Sequence, residues 1–118
     1  THSAEGFNPL CGDHYNVYLK CDGEQVLEVS FEGSGCAISK ASGSMMTTHL
    51  KGKTRSEALK SFEAFHQLLL GKEADQEVLG KLKIFSGIWK YPSRVKCASL
   101  SWHAMKSAIV GEGKTTTE

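Results

Sequence analysis

The sequence predicts an α+β fold in which a small antiparallel sheet packs against three to four helices. Apolar and polar residues alternate in two segments near the N-terminus, and the apolar spacing lengthens to that of a helix from about residue 36 onward. Alternation places apolar side chains on one face of a strand, whereas a spacing of three or four residues places them on one face of a helix. Because the strands precede the helices, the pattern is typical of α+β folds.

An antiparallel hairpin is predicted over residues 14–32. Apolar and polar residues alternate along 14–21 and again along 25–32, which is the pattern of strands buried on one face. Asp22-Gly23 lies between them and is a strong signal for a tight turn, because glycine accepts a positive φ. We expect one further strand on the N-terminal side of this hairpin.

Helical periodicity follows the hairpin. The first helix is expected over about 36–50 and the last over about 95–110. Another begins at the capping box Thr54-Arg55-Ser56-Glu57, in which the threonine oxygen accepts the amide of Glu57 and the Glu57 carboxylate reaches back. One or two further helical turns are expected within 82–89, before Pro92, because proline disfavours helix in the residue that precedes it.

Length and composition predict one globular domain over residues 1–118, with a frayed tail at 111–118. The chain has 118 residues, of which 40% are hydrophobic and 23% charged. These are ordinary values for globular proteins, so disordered and fibrous classes are excluded. The formal net charge is +1 and no basic stripe is visible. Nucleic acid and membrane surfaces are therefore not expected as partners.

Apolar runs and the N-terminal sequence bear on where the protein resides. The longest apolar runs, such as residues 68–70, are too short to span a bilayer. No charged segment followed by an apolar stretch opens the sequence, so a secretory signal is not indicated. We expect a cytoplasmic protein.

Four cysteines, Cys11, Cys21, Cys36 and Cys97, allow two interpretations. They could form two disulfides, for which three pairings exist. Small disulfide-stabilised proteins are usually denser in cysteine and poorer in long helices than this chain. Reduced thiols therefore fit better, and in that setting scattered cysteines more often bind metal or act in catalysis.

Three of the cysteines lie where predicted elements meet. Cys11 stands beside Gly12 and Asp13 just before the hairpin, Cys36 begins a helix after a glycine-rich elbow, and Cys97 lies in the first turn of the last helix. A helix N-terminus favours the thiolate, which is the form that binds metal. Three thiolates and one carboxylate would suit tetrahedral zinc. The spacing is equally compatible with plain buried cysteines, so both interpretations stay open at this point.

Three sequence blocks resemble the motifs of one known family. The blocks are Asn8-Pro9-Leu10-Cys11-Gly12-Asp13, residues 31–39 with 41–46, and residues 91–102. In this order they are similar to the motifs of the IscU/NifU family of iron–sulfur cluster assembly proteins, over roughly residues 7–110. The resemblance is strongest to the SufU branch, because Lys96 stands where the IscU branch has histidine and the segment at 71–80 resembles an insertion of the SufU branch.

The resemblance implies a SufE/NifU-like fold and a role in iron–sulfur cluster assembly. It implies that Cys11, Asp13, Cys36 and Cys97 are metal ligands and that Cys11 also accepts persulfide sulfur. Arg94 is either a surface charge or a partner of Asp13 that governs when the carboxylate ligates.

The cofactor implied for the isolated protein is zinc, with a transient 2Fe–2S cluster as the alternative. The expected partners are a SufS-like cysteine desulfurase and other cluster assembly proteins. The protein is expected to be a scaffold and sulfur acceptor rather than an enzyme, with a sulfurtransferase-like role as the nearest enzymatic activity.

Two features depart from the family pattern. Only ten residues precede Cys11, where family members carry a helix. Residues 90–94 occupy the place of the Leu-Pro-Pro-Val-Lys loop by which chaperones recognise the IscU branch, so dependence on an Hsp70-type chaperone is not expected.

Two other functions stay open from the sequence. The chain could be a purely structural zinc domain, or an enzyme with a nucleophilic cysteine. The enzyme hypothesis lacks a convincing base, because His103 lies past the last block. His14, next to Asp13, is the best spare ligand, whereas Cys21 matches no block and is interpreted as an ordinary strand residue.

Overall fold

The computed structural model describes residues 2–8, 12–111 and 114–116. The strands are β1 (His2–Asn8), β2 (Asp13–Asp22), β3 (Gln25–Ser34) and β4 (Lys114–Thr116). Within these residues they form one four-stranded sheet in the order β3-β2-β1-β4. β2 pairs antiparallel with both β1 and β3, which confirms the predicted hairpin and the additional N-terminal strand.

The pairing of β1 with β2 places Asn8 and Asp13 side by side at one end of the sheet. The β2–β3 turn passes through Gly23 at a φ of +60°, the conformation for which glycine was expected there. At the opposite end, β1 and β2 pair from His2 with Leu19 to Asn8 with Asp13. Asn8 and Asp13 are therefore cross-strand neighbours, and both side chains point to the buried face of the sheet.

The prediction of a frayed tail is wrong for Lys114–Thr116. These residues form β4, which pairs parallel with β1. The edge of β1 would otherwise leave backbone N–H and C=O groups without partners, and a short added strand satisfies them. Gly111 at a φ of +85° ends the last helix and allows the chain to turn back toward this edge.

The helices are α1 (Ala37–Leu50), α2 (Arg55–Leu69), α3 (Gln76–Leu79) and α4 (Pro92–Val110). The predicted capping box is present: the Thr54 side chain accepts the Glu57 amide, and the Glu57 carboxylate accepts the Thr54 amide. The predicted turns within 82–89 belong to two 3₁₀ helices, Gly80–Phe85 and Ile88–Lys90.

α4 begins earlier than the sequence pattern suggested. The expected start was near residue 95, but Pro92 is the first helical residue. The first turn of a helix needs no hydrogen bond from its backbone N–H groups, so proline is well suited to this position. Proline therefore both separates α4 from the preceding 3₁₀ helix and starts α4 itself.

The core lies between the sheet and the helices, with α4 at its centre. α4 contacts β1, β2, α1 and α2. Its Trp102 is fully buried and packs on Phe65 of α2, with ring centroids 4.7 Å apart. Among the described residues, no helix is long and apolar enough to cross a bilayer. This packing brings the N-termini of α1 and α4 toward the Asp13 end of the sheet.

Candidate metal centre

Asp13, Cys36 and Cys97 come together at this end of the molecule. Asp13 begins β2, Cys36 is the N-cap of α1, and Cys97 lies near the start of α4. One donor atom from each residue lies within 4.8 Å of the other two. Asp13 and Cys97 are fully buried, and Cys36 is partly exposed. Over the described ranges 2–8, 12–111 and 114–116, no other three side chains of metal-ligating type converge in this way.

Cys11, the fourth predicted ligand, lies outside the described residues. The residues on either side of 9–11 are described, and the Gly12 backbone N–H donates to the Asn8 carbonyl at 2.9 Å. Gly12 has a φ of +72°, a conformation that glycine adopts readily. Since Asp13 follows Gly12 directly, Cys11 is two residues along the chain from a member of the cluster. The complete set of four ligands stays a prediction.

Both oxygens of the Asp13 carboxylate accept hydrogen bonds. Oδ1 accepts the backbone N–H of Cys36 at 2.9 Å, and Oδ2 accepts the side-chain amide of Asn8 at 3.4 Å. The same amide nitrogen lies 3.8 Å from Cys97 Sγ. A buried carboxylate without donors or a counterion would cost several kcal/mol, so these contacts are what allow Asp13 to be buried here.

Cys36 has the environment of a thiol that ionises readily. Burial raises the pKa of the Cys36 thiol, but its hydrogen bonds with the backbone and side chain of Ser39 and with Cys97 outweigh burial, so the pKa is lowered overall. The Cys36 sulfur lies 3.7 Å from the Ser39 hydroxyl. A lowered pKa increases the thiolate fraction, and the thiolate is the form that ligates metal.

A second layer of polar residues supports the cluster. The Ser39 hydroxyl donates to the Cys36 carbonyl at 2.9 Å and lies 2.8 Å from the Tyr15 hydroxyl. Burial is the main cause that raises the pKa of Tyr15, so its hydroxyl remains protonated. A Cβ placed on Gly35 would come within 3.0 Å of Tyr15 Oη, Ser39 Oγ and Asp13 Oδ1. Glycine is therefore required at position 35 for these groups to meet.

The other residues singled out from the sequence lie elsewhere. Cys21 is on the same strand as Asp13 but near its other end, roughly 25 Å away along an extended strand. His14 faces the opposite side of the sheet, where its Nε2 lies 3.2 Å from Glu5 Oε1. Arg94 is exposed and lines a groove of about 410 Å³ with Ile38 and Tyr91. Its pairing with Asp13 stays a prediction.

Sequence reasoning assigned no role to Asn8, Tyr15 or Ser39. Asn8 stands inside the first motif block, but its contact with Asp13 depends on the β1–β2 register. The alternation along 14–21 predicts Tyr15 only as an apolar residue of the hairpin. The usable signal was the spacing of Ser39 three residues after Cys36, which places both on one face of a first helical turn.

The NifU-like N-terminal domain family matches residues 2–98. The chain belongs to this family. A Bacillus subtilis member named zinc-dependent sulfurtransferase SufU is 43% identical over 106 residues, covering 89% of this chain and 72% of its own length. A Streptococcus pyogenes member named iron–sulfur cluster assembly scaffold protein IscU is 41% identical, covering 86% of this chain and 65% of its own.

Solved structures agree with the NifU-like assignment. A crystal structure from Fervidobacterium islandicum AW-1, titled as a candidate iron–sulfur cluster assembly scaffold for the SUF system, is 42% identical. Its TM-score is 0.89, with 92% of this chain and 79% of that chain covered. An N-terminal NifU-like protein from Brucella abortus is 26% identical with a TM-score of 0.84. The predicted α+β fold and its NifU-like character are confirmed.

The donor set of this NifU-like domain fits a thiolate-binding metal. Two cysteine sulfurs and one carboxylate oxygen are close together, and Asp13 and Cys97 are fully buried. Zinc binds cysteine, histidine and carboxylate ligands, and iron–sulfur clusters are held mainly by cysteine thiolates. Asp13, Cys36 and Cys97 are the described residues that could hold either group.

Proposed function

We propose that this NifU-like domain is an iron–sulfur cluster assembly protein that binds one metal centre through Cys11, Asp13, Cys36 and Cys97. The observation that carries the proposal is the convergence of Asp13, Cys36 and Cys97, residues far apart in sequence, within 4.8 Å. The names of the relatives support the same function, since one is a zinc-dependent sulfurtransferase and another a cluster assembly scaffold.

Zinc is the metal proposed for the isolated protein, with a transient 2Fe–2S cluster as the alternative occupant. When bound, either group keeps the cysteine ligands as thiolates. Asp13 is the ligand best able to adapt, because a carboxylate can bind through one or two oxygens. A site with one carboxylate among thiolates suits a protein that must release its cargo.

Cys11 is the proposed acceptor of sulfur from a SufS-like cysteine desulfurase. Cys36 is the N-cap of α1, and Cys97 lies in the second turn of α4 rather than in the first turn expected from the sequence. Both are anchored by a helix, whereas Cys11 is next to Gly12 in the sequence. The Cys11 thiolate attacks the terminal sulfur of the desulfurase persulfide. One S–S bond forms on Cys11, the S–S bond of the donor breaks, and its electron pair leaves with the desulfurase cysteine as thiolate.

This reaction makes the chain a scaffold and sulfur carrier within a larger assembly system. Its partners are the desulfurase and the cluster assembly proteins that receive the sulfur or the cluster. The sulfurtransferase-like step consumes one persulfide and regenerates one desulfurase thiolate, so no external oxidant or reductant is needed.

Anaerobic measurement of zinc, iron and sulfide per chain tests the proposed site. We expect about one zinc per chain in colourless protein, or iron with equimolar sulfide in brown protein. Cys36→Ser should lower the metal content sharply, because a hydroxyl is a far weaker zinc ligand than a thiolate.

Cys21→Ser provides the matched control, since the same substitution is made at a cysteine of β2 that lies outside the cluster. Its metal content should equal that of the unmodified protein. Equal losses in the two variants, or no metal in any of the three proteins, would contradict the proposed ligand set.

A further inference from the structure

Asn8 lies between two of the proposed ligands. It ends β1, is fully buried, and faces Asp13 across the strand pair. Its side-chain amide nitrogen donates to Asp13 Oδ2 at 3.4 Å and lies 3.8 Å from Cys97 Sγ. This one nitrogen therefore contacts a carboxylate from the sheet and a sulfur from α4.

The two contacts leave the Asn8 amide only half satisfied. At 3.4 Å and 3.8 Å they are long, so each contributes less than a well-formed hydrogen bond to keeping the Asp13 carboxylate buried. The other half of the amide is a cost, because Asn8 Oδ1 is buried and has no hydrogen-bond partner among the described residues. Burying an amide with an unsatisfied oxygen disfavours folding. An amide that is buried at this cost, with its donor on two proposed ligands, points to a role in the site.

We infer that Asn8 is a positioning residue of the metal centre, fixing the orientation of the Asp13 carboxylate relative to Cys97. The inference rests on the proposed function. Asp13 Oδ1 is held by the Cys36 backbone N–H, and Asp13 Oδ2 is held by Asn8. With both oxygens restrained, rotation of the carboxylate about its terminal bond is limited. Without the Asn8 donor, only the Cys36 contact remains and the carboxylate is free to turn.

The choice of asparagine follows from the two groups it faces. Its N–H is attractive to both a carboxylate oxygen and a thiolate sulfur. An aspartate at this position would place a second acceptor against Asp13, and a leucine would supply no donor. The backbone of Asn8 also accepts the Gly12 N–H at 2.9 Å. Asn8 thus contacts Asp13 and Cys97 by its side chain and the residue next to Cys11 by its backbone.

The test compares Asn8→Leu with Asn16→Leu in the full chain. Leucine has the same branched arrangement of side-chain heavy atoms as asparagine and removes the donor. Asn16 lies on β2 of the same sheet, on the face opposite Asp13 and half-buried, so it controls for the substitution itself. Zinc affinity is measured by competition with a chromophoric chelator. Cobalt(II) is then loaded into each protein, because its visible absorption reports the ligands and geometry of the site.

We expect Asn8→Leu to bind zinc roughly 10- to 100-fold more weakly, the usual effect of losing an outer-layer partner of a metal ligand. Its cobalt d–d bands should change in energy and intensity, a result that loss of stability alone does not produce. Asn16→Leu should match the unmodified protein in both measurements. If Asn8→Leu does not fold, as judged by circular dichroism, Asn8→Ala carries the same expectations without added bulk.

Two results overturn the inference, and they are distinguishable. In the first, the unmodified protein gives the expected cobalt spectrum, and the Asn8 variant binds zinc within twofold of Asn16→Leu with an unchanged cobalt spectrum. Asn8 then does not position the ligands, and the inference alone fails. An unmodified protein that lacks a thiolate-to-cobalt charge-transfer band lacks the proposed site, and the proposed function fails together with the inference.

Discussion

Gly35 determines how closely the groups around Asp13 approach each other. A Cβ at this position would come within 3.0 Å of three polar atoms, on Asp13, Tyr15 and Ser39. Gly35→Ala should therefore separate these groups, weaken metal binding and lower the free energy of unfolding by roughly 1–3 kcal/mol, as overpacking does elsewhere. Metal content and urea unfolding of the purified variant measure the two effects.

Gly43→Ala is the comparison for Gly35→Ala. The three atoms nearest to a Cβ at Gly43 all belong to the Phe31 ring, the closest at 3.0 Å. Alanine also favours the helix by about 1 kcal/mol relative to glycine. This variant should keep its metal. A Gly35→Ala protein with the metal content of Gly43→Ala would show that the polar groups around position 35 do not need their present spacing.

Cys11 is the residue on which the proposed sulfur transfer depends. After incubation with a cysteine desulfurase and cysteine, mass spectrometry should find the persulfide on Cys11. Cys11→Ser should accept no sulfur, because a hydroxyl does not replace the thiolate in sulfur exchange. Label on Cys36 or Cys97 instead, or full transfer to Cys11→Ser, would refute the assignment, whereas Cys21→Ser should accept sulfur normally.

Some residues of the metal-site cluster could be predicted from the sequence, and others could not. Asp13, Cys36 and Cys97 lie in motif blocks and carry side chains whose chemistry is recognisable, so their convergence could be predicted from the resemblance. Asn8 also contacts Asp13 and Cys97, but this could not be predicted from the sequence. An asparagine side chain serves many purposes in proteins, and these contacts depend on the β1–β2 register. Tyr15 alternates like any apolar strand residue, and its hydroxyl partner Ser39 becomes known only from packing.

At the scale of elements, α2 has a start signal that should act independently of the metal centre. The Thr54 hydroxyl and the Glu57 carboxylate cap the helix reciprocally. Backbone and side-chain hydrogen bonds with Thr54 lower the pKa of Glu57, as expected for a carboxylate at a helix start. Thr54→Ala should lower the free energy of unfolding by about 1 kcal/mol without changing the metal content.

Urea unfolding of Thr54→Ala and Thr48→Ala measures this cap. Thr48 lies inside α1 and is exposed, so its replacement by alanine should leave stability unchanged or slightly raised. A Thr54→Ala protein as stable as Thr48→Ala would mean that water replaces the cap without cost.

Elements whose signals are local were predicted well, and those that depend on distant partners were not. The Asp22-Gly23 turn and the Thr54 cap involve only neighbouring residues, and both are found. β4 exists because the edge of β1 accepts it, and nothing within Lys114–Thr116 indicates a strand without that edge. Pro92 was interpreted as a stop signal, whereas its position in the fold makes it also the first residue of α4.

At the scale of the whole molecule, the interface between α2 and α4 is expected to make folding sensitive to acid. His103 of α4 packs against Phe62 and His66 of α2, with ring centroids 5.1 Å and 5.7 Å away. Burial, followed by the nearby His66 and Lys106, lowers the pKa of His103 to about 4. The folded protein therefore keeps this imidazole neutral at pH values where the unfolded chain, with a pKa near 6.5, already binds a proton.

The sign of the pH effect follows from which state binds the proton first. Well above pH 6.5 His103 is neutral in both states and has no effect on the pH dependence. As the pH falls toward 4, only the unfolded chain gains the proton, so His103 lowers the free energy of unfolding progressively, by on the order of 2–3 kcal/mol in total.

His103→Gln should remove this part of the acid sensitivity. Urea unfolding of metal-free protein between pH 7.5 and about 4 measures it, since metal release then adds nothing. The stability difference between unmodified and His103→Gln protein should be constant above about pH 7 and shift in favour of the variant below it. Lys106→Gln should show a smaller acid effect than the unmodified protein, because one of the cations that disfavour protonated His103 is gone. Parallel pH curves for the unmodified protein and His103→Gln would show that His103 takes up its proton equally well in the folded and unfolded states.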